Sequence, residues 1–398
     1  MKPFLDLGSA PPSNSYLTRS ALSGPETWYP LVIRVCSDCL LVQTEDFASR
    51  ETFFSESYAY FSSFSSSWVN HARDYVATMV DRFGLDASSQ VIEVAANDGY
   101  LLQWVRERGI ACLGVEPTAS TAAAARAKGI EIVEAFFGVA LAEDLVRQGR
   151  QADLTAANNV LAHVPDINDF VQGFATILKP EGVSTFEFPH LLNMIAEAQF
   201  DTAYHEHYSY LSLTAVDRIF AKNGLRVFDV ATTPWHGGSL RVFACRSDST
   251  GHRRSDAVDR ILAQEAAAGL LDADSYAGFQ AEAQRVRNDF LAFLIDCQRQ
   301  GLKVAAYGAA AKGNTLLNFA GVKADMVSFV VDKNPAKQGQ FMPGSRIPIV
   351  DEDVIRAEKP ERVVILPWNL QREIKQQLSC IRDWGGKFVT AVPKLTID

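Results

Sequence analysis

The chain runs to 398 residues, 47% apolar and 21% charged, longer than one hydrophobic core normally supports, which predicts two or three soluble domains. A net charge of −9 without a clustered basic face excludes a nucleic-acid backbone as partner. No stretch of eighteen apolar residues occurs and no apolar leader follows Met1, which excludes a membrane span and a signal peptide and predicts a cytoplasmic protein.

Residues 1–57 read as a small N-terminal module, with turn-rich Ala10-Pro11-Pro12-Ser13-Asn14-Ser15 ahead of a strand-like Tyr29–Cys36. Cys36 and Cys39 form a C-x2-C pair, the spacing that lets two thiolates reach one tetrahedral zinc. A structural zinc needs four ligands and the sequence holds no second such pair, so the expectation is a reduced pair or half a site. Cys112, Cys245, Cys297 and Cys380 are scattered singles that read as packing residues. The serine-rich stretch from Tyr58 to Ser67 precedes a helix predicted from about Trp68 to Phe83; it reads as loop and helix cap, or as a segment closing over a cofactor.

Residues 58–250 carry the alternating pattern of an α/β domain. Val91–Val94 is a buried strand, Asn97-Asp98-Gly99 a turn, and Leu101, Leu102 and Val105 open a helix. A second strand, Cys112–Val115, ends at Glu116, where an acid can accept hydrogen bonds from ribose hydroxyls. There follow an alanine-rich helix (120–128), a strand (130–133), a helix (141–147), a strand from Ala152 into Asn158 and Asn159, a helix (167–178), a turn (179–182) and a strand (183–188). Residues 251–398 open with a helical connector (252–300) and continue as a smaller α/β domain with strands at 304–307, 326–331, 363–366 and 388–392.

Ligands bind outside the carboxyl ends of strands in open α/β sheets, so Asn97 to Gly99, Glu116, Asn158, Asn159 and His163 are expected along one crevice. The densest chemistry lies in Phe200–Tyr208, where Tyr204, His205, Glu206 and His207 fall together. The H-E-x-x-H zinc spacing is absent, which favours acid–base work over a metal. Tyr204 and His207 are three apart and share a face if this segment is helical.

Taken in order, these motifs resemble the sugar C-methyltransferases that use S-adenosylmethionine and act on nucleotide-linked 4-keto-deoxysugars. The resemblance rests on Phe4–Gly8, Cys36-x-x-Cys39, Tyr58-x-Tyr60-x-Ser62-Ser63, Glu93 with Asn97–Gly99, Glu116-Pro117, Asn158-Asn159-x-Leu161-x-His163, Tyr204-x-Glu206-His207, His236–Gly238 and Tyr307–Lys312. It implies an α/β fold: a class I methyltransferase doubly wound sheet, a small N-terminal zinc-binding module and a second, smaller Rossmann-like C-terminal domain. It also implies that S-adenosylmethionine lies against Tyr60, Ser63, Glu93, Asn97, Asp98, Gly99, Glu116, Pro117, Asn158 and Asn159.

For the chemistry, the resemblance implies His207 as the base that forms an enolate, with Tyr204 and His163 as donors or proton relays at the keto group. Which of Tyr204 and His207 takes the proton stays open; Glu206 orients His207 or contacts the sugar. His236, Gly237, Tyr307, Lys312, Asn314 and Asp332 are the expected substrate-binding residues, with Lys312 on diphosphate and Asp332 on a ribose. The family's zinc module uses two C-x2-C pairs, the first just ahead of the Phe4–Gly8 segment, where this chain has only Met1, Lys2 and Pro3. Either the chain lacks zinc, with Cys36 and Cys39 left as a pair, or its start lies upstream. The rivals are an O- or N-methyltransferase on another small metabolite, an NAD-linked oxidoreductase, and a non-catalytic scaffold.

Overall fold

The computed structural model describes residues 1–47 and 61–398, so the expected boundary at residue 57 and the Tyr58 and Tyr60 positions lie outside the described residues. Strands β1 (Lys2–Ala10), β2 (Tyr29–Val35) and β3 (Val42–Thr44) form an antiparallel meander. Leu31, Ile33 and Val35 alternate onto one buried face, as the period of a strand requires. That face has no core of its own. Phe4 stacks on Phe279 with ring centroids 4.7 Å apart, and Leu5 and Ile33 share one cluster with the helix Phe279–Arg299 and the C-terminal sheet. The N-terminal module is therefore built into the C-terminal half.

The central sheet contains β4 (Gln90–Val94), β5 (Ala111–Val115), β6 (Ile132–Val133), β7 (Ala152–Asn158) and β8 (Leu178–Pro189). The chain then lends β9 (Ser209–Tyr210) to the N-terminal sheet beside β3 and returns as β10 (Leu225–Thr233) and β11 (Ser239–Arg246). The order is β10-β11-β8-β7-β4-β5-β6, with β11 running against both neighbours. This is the class I methyltransferase sheet. Ile92 and Val94 face a cluster with the helices Val139–Arg147 and Ile167–Ile177, whereas Val91 faces one with Ser66–Phe83 and Ala119–Ala127. Asp166 caps the helix Ile167–Ile177 by accepting the N–H groups of Asn168 and Asp169.

Two local expectations change. The turn at 179–182 lies inside β8, as a register shift against β7; a Cβ on Gly182 would fall 2.6 Å from the Ala152 carbonyl oxygen, so the glycine serves an irregular strand. The β10–β11 hairpin completes the sheet where the sequence was read no further than β8.

Helices Asp256–Ala267 and Phe279–Arg299 lead to β12 (Val304–Tyr307), β13 (Val330–Val331), β14 (Ile349–Val350), β15 (Arg362–Ile365), β16 (Lys387–Thr390) and β17 (Thr396–Ile397). The order β14-β13-β12-β15-β16-β17, parallel apart from β17, reverses direction between β12 and β15. The connector is anchored by Glu265. Its carboxylate accepts the N–H groups of Leu213 (2.6 Å) and Thr214 (2.8 Å), the Thr214 hydroxyl (2.6 Å), and a bond from His190 Nε2 (2.7 Å). No helix among the described residues is long and apolar enough to cross a membrane.

Candidate active site

β4 ends in the turn Ala95–Gly99, where Ala95, Asn97 and Gly99 take φ of 60°, 49° and 75°. Two positions thus reach left-handed backbone without glycine, which costs roughly 1–2 kcal/mol at a residue such as Ala95. Glycines around the turn let it close. A Cβ on Gly114 of β5 would fall 2.7 Å from Ala96 Cβ, and one on Gly99 would fall 2.4 Å from Ile130 Cδ1.

Glu116 accepts the Asn97 N–H on one carboxylate oxygen and the Thr118 N–H on the other, each at 2.9 Å. Burial raises its pKa, with Thr118 and Asn97 opposing. Glu93 lies beneath the turn, where burial pushes its carboxyl well above the usual range against the pull of Tyr100. Pro117 is half-buried between Glu116 and Thr118. The serine segment docks on the turn: the Ser62 N–H donates to Asn97 Oδ1 (2.9 Å), and the Ser63 N–H to Asp98 Oδ2 (3.2 Å). Lys128 Nζ donates to Ser63 Oγ (2.9 Å) and stands 3.6 Å from Asp98.

Asp98 Oδ1, Asn159 Oδ1 and both polar side-chain atoms of Asn158 are buried with no hydrogen-bond partner among the described residues. They stand at the carboxyl ends of β4 and β7, the crevice where the strand order reverses. An acid and two amides can take the ammonium and carboxylate of an amino acid, and Glu116 can take a ribose. That donor set fits S-adenosylmethionine.

The segment 200–208 is a short turn at Phe200–Thr202 followed by a second at Tyr204–His207, and not the helix considered from spacing. The second turn still brings the two side chains together. Tyr204 Oη lies 2.7 Å from His207 Nε2, with ring centroids 3.9 Å apart. His207 Nδ1 lies 2.8 Å from the Thr202 carbonyl oxygen; a carbonyl only accepts, so Nδ1 carries the hydrogen and Nε2 receives the Tyr204 hydroxyl. His163 Nδ1 likewise meets the Glu206 carbonyl at 2.8 Å, which makes its Nε2 an acceptor nitrogen. Burial holds His163 at a pKa of about 4 and holds His207 well below the ordinary value. Both rings are neutral near pH 7, their centroids 4.6 Å apart. A neutral His163 in this tautomer does not donate to a keto oxygen, which corrects one of its two expected roles.

Glu206 does not orient His207, the other correction here. Its Oε1 accepts from Asn14 Nδ2 at 3.0 Å, while Thr202 holds the imidazole. Burial lifts Glu206 to a pKa of about 7, and its Oε2 has no partner among the described residues. The segment is clamped from both sides. Thr44 Oγ1 donates to the His207 carbonyl (2.6 Å), the Tyr208 N–H to Ala162 (2.8 Å), and His205 Nε2 lies 3.2 Å from the Pro30 carbonyl.

The crevices of the two sheets are linked through the β10–β11 turn. Asn159 Nδ2 lies 3.0 Å from His236 Nε2, and the His236 carbonyl lies 3.4 Å from Lys312 Nζ. Gly237, at φ 89°, leaves room for Trp368, which a Cβ would approach to 2.5 Å. Lys312 Nζ sits 4.5 Å over the Trp368 ring, and Trp368 Nε1 donates to Asp201 Oδ2 at 2.8 Å. Burial lowers the Lys312 pKa against the pull of Asp201; burial raises Asp201 to about 6 against the pull of Lys312.

Three expected substrate residues are engaged elsewhere. The Tyr307 hydroxyl donates to Glu352 (2.9 Å) and accepts from Gln377, and Asn314 Nδ2 donates to the Ser13 carbonyl. Both pin the fold away from the crevice. Asp332 accepts the N–H groups of Ala309 and Asn334, each at 2.8 Å, 3.8 Å from Lys337.

Cys36 and Cys39 are reduced and sit on a knuckle-like turn in which the Leu40 N–H donates to the Cys36 carbonyl (3.0 Å). Among the described residues no three His, Cys, Asp or Glu side chains converge to hold a metal. The residues present do not fit zinc. Sequence reasoning overlooked Asp201, the Thr202 carbonyl, Trp368 and Asn14. Trp368 was findable, since it follows the strand at the reversal of the smaller sheet. Thr202 acts through its backbone and leaves no side-chain signal.

Three family models match in the order of the chain: a zinc binding domain over residues 1–54, a methyltransferase domain over 68–230 and a C-methyltransferase C-terminal domain over 234–393. C-methyltransferase NovU of Streptomyces niveus is 33% identical over 390 residues, spanning 98% of this chain and 92% of that one. Solved structures that match part of this chain include magnesium protoporphyrin IX methyltransferase of Synechocystis PCC 6803 with bound SAM, 15% identical, over 45% of this chain and 79% of that one, TM-score 0.35. Another is 1,6-didemethyltoxoflavin-N1-methyltransferase of Burkholderia thailandensis, 16% identical, over 53% and 97%, TM-score 0.37. On this similarity along nearly the whole length, the chain belongs to the S-adenosylmethionine-dependent C-methyltransferases.

Proposed function

We propose that the protein methylates the carbon next to the keto group of a nucleoside-diphosphate 4-keto-deoxysugar through a base-generated enolate. The observation that carries this reading is the 2.7 Å pair of Tyr204 Oη and His207 Nε2, with Nδ1 held on Thr202. Forming a carbon–carbon bond needs a carbanion equivalent, and a ketone acidifies its neighbouring hydrogen because the charge delocalises onto oxygen.

Tyr204 is half-buried and His207 buried, so Tyr204 meets the substrate. Its oxygen takes the α hydrogen as its own proton passes to Nε2, and Thr202 holds the imidazolium hydrogen at Nδ1. On this reading Tyr204 takes the substrate proton and His207 takes the Tyr204 proton. S-adenosylmethionine, when bound along Asn97–Gly99, Glu116 and Asn158, supplies an electrophilic methyl group. The pair of electrons released from the C–H bond is what the enolate carbon would share with that methyl, the donor's sulfur keeping its own bonding pair. Glu206, with an oxygen to spare, contacts a sugar hydroxyl.

The test is incubation with a dTDP- or UDP-linked 4-keto-6-deoxyhexose in deuterated water, with and without the methyl donor, followed by mass spectrometry. Hydrolysis-resistant gain of one methyl, and deuterium uptake at the α carbon without the donor, are expected. A methyl on oxygen or nitrogen would refute the enolate route.

A further inference from the structure

The enolate route needs a hydrogen-bond donor at the keto oxygen, and the imidazoles nearby are spoken for. His207 Nε2 receives the Tyr204 hydroxyl, and His163 hands its hydrogen to the Glu206 carbonyl. The Asn159 amide donates to His236 Nε2, so this nitrogen also accepts. The ring nitrogens whose hydrogen bonds fix a tautomer here therefore have no hydrogen to give a developing oxyanion.

A lysine ammonium reaches into this surround. Lys312, on the first turn of the helix Ala311–Phe319, places Nζ over the Trp368 ring and 3.4 Å from the His236 carbonyl, where the edges of the two sheets meet. The side chain is shaped for this position from both sides. Trp368 is fixed by Asp201, and Gly237 has no Cβ to fill the space against it.

On the keto-sugar reading, we propose that Lys312 is a catalytic residue, its ammonium donating a hydrogen bond to the keto oxygen as the enolate forms. The backbone turn ahead of it suits diphosphate poorly. The Ala309 N–H is taken by Asp332, and the Ala310 N–H by the Gly308 carbonyl at 2.9 Å.

The step balances as follows. The α C–H bond breaks, its proton goes to Tyr204 Oη, and the Tyr204 proton moves to His207 Nε2. The C–H pair becomes the carbon–carbon π bond, and the carbonyl π pair moves onto the oxygen beside Nζ. The charge of Lys312 is one of the influences that keep His207 from accepting a proton in the resting enzyme. Negative charge on the oxygen offsets that influence, so the base strengthens as the enolate develops.

The experiment compares wild type, Lys312→Met and Lys312→Arg with a dTDP- and a UDP-linked 4-keto-6-deoxyhexose. It reads saturating kcat, α-hydrogen exchange in deuterated water without the methyl donor, and calorimetric affinity for dTDP, UDP and S-adenosylhomocysteine. K312M is expected to lose about 100- to 1,000-fold in both kcat and exchange, the scale of removing one oxyanion donor. Its nucleotide and S-adenosylhomocysteine affinities should stay within about twofold, the latter reporting an intact fold, with K312R recovering part of the loss. Unchanged exchange in K312M, or a loss confined to nucleotide affinity with kcat intact, overturns the assignment while leaving C-methylation standing. If K312M is misfolded, K312R decides: an arginine variant that binds S-adenosylhomocysteine but keeps no exchange above the background without enzyme speaks against a charge role. A wild type that exchanges no α hydrogen and methylates no carbon overturns the keto-sugar reading itself.

Discussion

Gly99→Ala probes the cofactor turn through a clash that a second substitution can remove. At φ 75° an alanine carries the left-handed penalty, roughly 1–2 kcal/mol. Its Cβ would stand 2.4 Å from Ile130 Cδ1, an overlap that adds about 1–3 kcal/mol of overpacking. The expected loss is thus about 2–5 kcal/mol in urea unfolding. Ile130→Val deletes the offending methyl and alone costs about 0.5–1.5 kcal/mol. The next neighbour is Ala125 Cβ at 3.3 Å, a contact that can give by a few tenths of an ångström. G99A with I130V should therefore be about 1–2 kcal/mol more stable than the sum of the singles, a coupling a double-mutant cycle resolves. S-adenosylhomocysteine binding, measured by calorimetry, should weaken in G99A and recover partly in the double variant. Strictly additive costs, or a G99A variant as stable as wild type, would show that the turn is not held against Ile130.

On the proposed enolate route Tyr204→Phe should lower kcat by about 100- to 10,000-fold, with S-adenosylhomocysteine affinity preserved, because it would remove a proton relay and no cofactor contact. Asp201, with a pKa of about 6 folded against about 3.9 for a free aspartate, binds its proton more tightly in the folded state, so its contribution weakens stability as pH rises from about 4 to 6. Asp201→Asn should flatten that part of a melting-temperature profile and help most above pH 7. Glu265→Ala should destabilise by roughly 3–5 kcal/mol, since it strands the bonds from His190, Leu213 and Thr214. Elemental analysis should find well under one zinc per chain, and a chelator should leave the melting temperature unchanged.

The β4–β5 crevice was legible in the sequence because a hydrophobic run, a turn cluster and a terminal acid are all local signals. Glu116 and Asn97 accordingly lie where strand order puts them, joined by one hydrogen bond. The Tyr204–His207 pairing was legible only as proximity. Its tautomer depends on the Thr202 carbonyl, and a backbone acceptor reads the same whatever residue carries it. One of the two roles expected of Glu206 failed for a related reason: adjacency to His207 suggested contact, yet in a tight turn neighbouring side chains diverge, and this one meets Asn14. Tyr307 and Asn314 stand inside a motif suited to phosphate, but whether a side chain faces a crevice or a core is settled by packing from Glu352 and Ser13, far along the chain.

The strap from Ser13 to Tyr16 touches residues made nearly three hundred positions later: Ser13 receives Asn314, and the Tyr16 hydroxyl donates to the Ala309 carbonyl at 2.6 Å. During synthesis, Glu206 and its Asn14 partner therefore wait for the last third of the polypeptide to leave the ribosome before their surroundings are complete. A chain cut short before Ala309 lacks the partners of this strap, so the surroundings of Glu206 form only once the C-terminal sheet has been made.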